Sequence, residues 1–189
     1  VLGHPTSSAW QAVKLAVRNA VKPSKVLRVI YRVPSVIDPR STPLEIVIEA
    51  NVTERKSYRP ISLLPFSYFF RNEMVATLIN GFEIHEMLGT KMRALFQRRR
   101  GRDLFDLYWA LTKDETSVNP AEIVELFLYY LQQEDTVATR NEFIELLQNH
   151  LNDRGFLTDM NALLRTGIAY DPIAAGDYVI GSLLKLLPR

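Results

Sequence analysis

Lys91, Asp103 and Asp106 are the residues whose types and spacing first suggest chemistry. They lie in KMRALFQRRRGRDLFDLYWAL, residues 91–111. Stepping roughly 100° per residue from Ile84 puts Met87, Leu88 and Leu95 on one stripe of a helix, and Lys91 falls inside that stripe. A lysine there must snorkel outward or find an anion, because an unpaired buried ammonium is costly. The anion can be a neighbouring aspartate, in a purely structural ion pair, or the phosphates of a nucleotide, to which a long stem carries a compact charge. Asp103 and Asp106 are three apart, so a helix turns both to one side, where two carboxylates reach one site. Equally, Asp103 suits an N-cap with Asp106 at N3, an arrangement worth ~1 kcal/mol. Between lysine and aspartates stand Arg98, Arg99, Arg100 and Arg102 around Gly101. The glycine suits a left-handed helix end, and the arginines crowd a tip that is either solvated or a contact for an RNA backbone.

Positioning these residues requires two helices joined by the basic turn, 82–99 and 102–112. Three further helical patterns follow at 121–133, 139–151 and 172–187, with a short one at 157–165, and Pro120 suits a first helical position. The chain ahead of Phe82 reads differently. VLRVIYRV (26–33) and LEIVIEANV (44–52) are rich in β-branched residues and flank a turn-like segment, which predicts an antiparallel pair; MVATLI (74–79) predicts another short strand. Side-chain alternation places Glu45, Val47, Glu49 and Asn51 on one face of the second strand. Residues 7–21 have apolar spacing and candidate caps that predict a helix, and the aromatic, proline-punctuated segment 56–72 yields no assignment. Strands first and helices after define an α+β class, a small sheet followed by a helical bundle.

Composition narrows the functions. The chain has 189 residues and no cysteine, which excludes disulfides, thiolate metal sites and cysteine nucleophiles; His4, His85 and His150 are scattered, so any metal would be held by oxygen. No apolar run is long enough to span a membrane and the first residues lack a signal-peptide layout, so the expectation is a cytoplasmic protein. The net charge of +2 hides an asymmetry: residues 1–112 carry 17 Lys+Arg against 9 Asp+Glu, the remainder 6 against 12. A basic front half is compatible with phosphate or nucleic acid as partner.

EIHEMLGTKMRALFQRRRGRDLFDLYWAL resembles the C-terminal motif block of the AbiEii/AbiGii-toxin-like nucleotidyltransferases, through Glu86, Lys91, Ala94, Leu95, Arg102, Asp103, Asp106 and Leu107. The strand IVIEANVTER is similar to the preceding strand of that family at Glu49 and Asn51, with Val47 in place of a lysine. The resemblance implies a polymerase-β-like nucleotidyltransferase core in 1–81, present in part, and a helical region in 82–189 carrying the motif block. It implies a toxin that transfers NMP from an NTP to an RNA acceptor such as tRNA, with a cognate antitoxin as a further partner. Lys91 and Arg102 would then bind the nucleotide, Asp103 and Asp106 would support catalysis, Arg98, Arg99 and Arg100 would contact RNA, and Glu49 would be a metal carboxylate. The first motif of the family, a G-G-[ST] turn with a D-x-D strand that holds Mg2+, is absent from the 189 residues, and the chain opens on Val1. The expectation is therefore the back part of such an enzyme, inactive by itself, with a non-catalytic RNA- or antitoxin-binding module as the alternative.

Overall fold

The computed structural model describes residues 16–21, 26–35, 38, 41–51, 57–70, 72–113 and 117–189. The chain divides into two compact units, 1–57 and 58–189.

The first unit holds a three-stranded antiparallel sheet in the order β1-β2-β3, with β1 at Ala16–Val21, β2 at Val26–Val33 and β3 at Leu44–Asn51. The expected antiparallel pair is therefore present, in continuous register from Val26 opposite Asn51 to Val33 opposite Leu44. That register sets Arg28 opposite Glu49 and Arg32 opposite Glu45, and both pairs close as cross-strand ion pairs on one face. The other face carries Val29, which is buried. The helix expected over 7–21 is corrected at its C-terminal end. AVRNAV is a strand, with Ala16, Val17 and Arg18 opposite Arg32, Tyr31 and Ile30. Its valines suit a pleated ribbon as well as a helix, and the open backbone edge of β2 decides between them. Residues 7–15 lie outside the described residues.

The second unit opens with a β-hairpin, β4 at Ser62–Phe70 and β5 at Glu73–Gly81, paired from Ser62 opposite Gly81 to Phe70 opposite Glu73. Asn72 takes the positive φ of 63° that the tight reversal needs, a conformation asparagine tolerates. Thus the segment left unassigned in the sequence contains a strand. Pro65 is accommodated because, among the described residues, β4 pairs on one side only.

Among the described residues six helices follow: α1 (Ile84–Gln97), α2 (Gly101–Thr112), α3 (Pro120–Gln132), α4 (Arg140–Leu151), α5 (Arg154–Thr158) and α6 (Pro172–Ser182), with a final 3-10 turn at Leu184–Leu186. Their starts are written in the sequence. Asn119 caps α3 ahead of Pro120, Thr139 and Glu142 form a reciprocal capping box on α4, and Asp171 caps α6 ahead of Pro172. The helix expected at 157–165 is corrected to α5, which Asp153 caps through the Phe156 N–H and which ends at Thr158; turns occupy 159–163. The core gathers Leu88, Met92 and Leu95 of α1, Leu104 and Leu107 of α2, Phe127 of α3 and Phe143 of α4, all essentially without solvent exposure. Glu86 is also fully buried in α1. It accepts hydrogen bonds from the Tyr58 N–H (2.7 Å), the Arg59 N–H (3.1 Å) and the Tyr130 hydroxyl (2.5 Å), so one carboxylate ties the chain entering the hairpin to α1 and α3.

Gly101 corrects a third expectation. It does not end α1 in a left-handed conformation; it is the first residue of α2, where a Cβ would stand 2.2 Å from the Phe156 carbonyl oxygen. α1 ends instead at Arg98, in extended backbone. Ala would raise helix propensity at position 101 by ~1 kcal/mol, but forcing backbone apart costs about 1–3 kcal/mol. Gly101→Ala is therefore expected to lower the urea midpoint of unfolding despite its better propensity; an unchanged or higher midpoint would refute the close approach.

Candidate functional site

α1 and α2 form a helical hairpin, and Lys91 is where they meet. Its ammonium lies 2.7 Å from the Asp106 Oδ2 and 3.8 Å from the Asp103 Oδ1, so the structure brings the lysine and both aspartates together. The two carboxylates are not equivalent. Asp103 is completely buried, and both its oxygens are held by the Arg98 guanidinium, Nε donating to Oδ2 at 2.8 Å and Nη2 to Oδ1 at 2.9 Å. This fork is the two-point geometry that makes Arg–carboxylate pairs strong. The same hydrogen bond raises the Arg98 pKa, against the opposing effect of burial. Asp106 is partly exposed and reaches Lys91 from the solvent side.

The helix start explains why the capping expectation for Asp103 fails. α2 begins at Gly101, so Arg100 occupies the N-cap position, without a side-chain cap, and Asp103 is the third residue of the helix. Capping of α2 comes from a distant residue, since the Arg102 N–H donates to the Asp159 carboxylate at 3.1 Å. Arg99 pairs with Asp153 at 3.4 Å. Two acidic residues around α5 thus receive the basic turn. His150 lies beside them, and burial together with the Arg99 charge lowers its pKa, with Asp153 opposing. Arg100 and Arg102 have exposed side chains. Glu49 belongs to the first unit, where its carboxylate is paired with Arg28.

Lys91 and Asp106 form the polar end of a groove of about 470 Å³, which continues along Ile84, Met87 and Leu88 of α1 and Trp109 and Ala110 of α2 to Lys113. That volume suits a small organic ligand. Sequence reasoning missed Trp109 and Lys113, although their spacing after Asp106, three and seven residues, places them on the same helix face. It also missed a network at the start of α1. His85 Nδ1 is 2.7 Å from Glu83, its Nε2 accepts the Asn119 N–H at 2.9 Å, and Arg59 bridges Glu83 to Glu122. No regular spacing links those residues, so only the fold assembles them.

Among the described residues no group of three or more His, Cys, Asp or Glu side chains is placed to hold a metal ion. Glu49, Asp103 and Asp106 each face a guanidinium or an ammonium, a donor set that does not fit magnesium. The two aspartates should separate in stability measurements. Asp103→Asn weakens a buried charge-assisted fork and is expected to cost about 1–3 kcal/mol, whereas Asp106→Asn, on a partly exposed pair, should cost under ~1 kcal/mol. Urea unfolding of both variants checks the ranking, and the reverse order would refute it.

No curated protein and no solved structure matches the chain. The family described as Nucleotidyl transferase AbiEii toxin, Type IV TA system, matches residues 11–177, a span that takes in the Lys91 hairpin. By that match, the chain belongs to the AbiEii nucleotidyltransferase toxin family.

Proposed function

We propose that the α1–α2 hairpin grips the triphosphate of an NTP, and that a complete enzyme of this kind transfers NMP from it to an RNA acceptor such as tRNA. The observation carrying this reading is a single one: a lysine whose side chain is only one-third exposed, its ammonium held by Asp106 and Asp103 at the head of a groove of ligand size. In the transfer, an acceptor hydroxyl oxygen gives up its proton to water and bonds to the α-phosphorus, the α-phosphorus bond to the bridging oxygen breaks, and pyrophosphate leaves with that electron pair. Lys91 serves by exchanging the Asp106 carboxylate for a phosphate oxygen. Asp103 remains buried beneath it, so the ammonium is positioned before the ligand arrives. Asp103 is thereby a positioning residue, and it also fixes the Arg98 guanidinium beside the same site.

Magnesium enters this reading only through carboxylates other than Glu49, Asp103 and Asp106, because those three face cations. The 189-residue chain is accordingly proposed to bind without transferring. Its pairing of every candidate carboxylate also favours a second reading, a non-catalytic module in which Arg100 and Arg102 present charge to RNA or a cognate antitoxin. The setting in either case is the cytoplasm, where NTPs and tRNA are found; among the described residues no helix is long and apolar enough to cross a membrane.

The test is binding of each labelled NTP, and magnesium-dependent incorporation of label into total tRNA, by the chain and by Lys91→Ala. Salt-sensitive NTP binding without transfer is expected. Loss of a charge-assisted contact in Lys91→Ala should weaken binding about 10- to 100-fold. Robust transfer by this chain, or undiminished binding by Lys91→Ala, would overturn the reading.

A further inference from the structure

We propose that Trp109 is the platform on which the nucleobase stacks, so that the groove reads the base and the phosphates at opposite ends; this rests on the NTP reading above. The groove changes character along its length. Lys91 and Asp106 supply charge at one end, past them the lining is Ile84, Met87, Leu88, Trp109 and Ala110, and Lys113 stands at the far end. Along α2 the rise from Asp106 is about 4.5 Å to Trp109 and about 10 Å to Lys113. A ligand that meets Lys91 with an anionic group and packs on the apolar stretch around Trp109 carries both a charged and a flat part, which describes a nucleotide and not a bare polyphosphate.

The indole is braced for this task. Phe105 stacks on it with centroids 5.3 Å apart and planes 28° apart, and Tyr170 closes edge-on against Phe105 at 5.0 Å. An indole backed by Phe105, which is itself wedged by Tyr170, is restrained in orientation, so stacking on it costs little side-chain ordering. The Lys113 ammonium stands 4.2 Å from the ring centroid. An exposed cation–π contact of that sort is weaker than base–indole stacking, so an incoming base displaces the lysine, leaving its charge near the ligand. Because every base has a π-face, the platform demands a base without choosing strongly among the four.

Trp10 and Trp109 are the two tryptophans of the chain, so Trp10→Phe makes Trp109 the sole indole reporter. In that background ATP, GTP, CTP, UTP and inorganic tripolyphosphate are titrated against Trp109 fluorescence, with calorimetry for affinity. All four NTPs should quench saturably and bind at least about tenfold more tightly than tripolyphosphate. Trp109→Leu should reduce NTP affinity to the tripolyphosphate level, and Trp109→Phe should restore most of it, with far-UV circular dichroism confirming the helices. Equal, Lys91-dependent binding of NTP and tripolyphosphate, indifferent to Trp109→Leu, would overturn the stacking platform while leaving the triphosphate grip standing. Binding of neither ligand, or binding indifferent to Lys91→Ala, would overturn both.

Discussion

A carboxylate with no access to water must be matched by hydrogen-bond donors or by positive charge, and Asp103 is matched by charge. Arg98 meets it from the end of α1 and Lys91 from the middle, so the burial of one group fixes two cations on the neighbouring helix. The rest of the hairpin follows from that requirement. α2 must begin early enough to place Asp103 inside its first turn, which draws Gly101 into the helix. The close approach of Gly101 to the Phe156 carbonyl then brings α5 against the turn, with Asp153 facing Arg99 and Asp159 accepting the Arg102 N–H. Lys91, displaced from a fully buried life by the same geometry, emerges at the head of the groove.

The sequence announces the hairpin and conceals its wiring. Lys91 is legible because a charged residue in an apolar helical stripe needs an anion, and Asp103 and Asp106 are legible because their spacing puts them on one face. Which aspartate is buried is not legible. Both fit the same periodic position to within one turn, and the choice depends on where α2 begins, which is set by a contact with residues more than fifty positions away. For the same reason Asp103 reads as a cap in sequence and proves to be a buried counter-ion. Asp159, which does receive the helix N-terminus, carries no local sign of it.

The sheets show the other limit. β2 and β3 carry long β-branched runs and reveal themselves, whereas β1 has an alternation short enough to be mistaken for part of a helix, and β4 contains a proline that ordinarily argues against a strand. In both cases pairing with a neighbour, not local preference, settles the outcome. The starts of α3, α4 and α6 are the readable ones because their chemistry is local: a capping side chain, a proline, an acid three residues on.

The contacts that build the Lys91 site are close in sequence as well as in space. Arg98 and Asp103 are five residues apart, and Lys91 and Asp106 are fifteen apart, while the tie from Arg140 to the Leu187 carbonyl spans 47. Closing short loops loses little chain entropy and is fast. The ion pairs of the α1–α2 hairpin therefore need only short loops to close, while the start of α2 waits on the distant contact with α5.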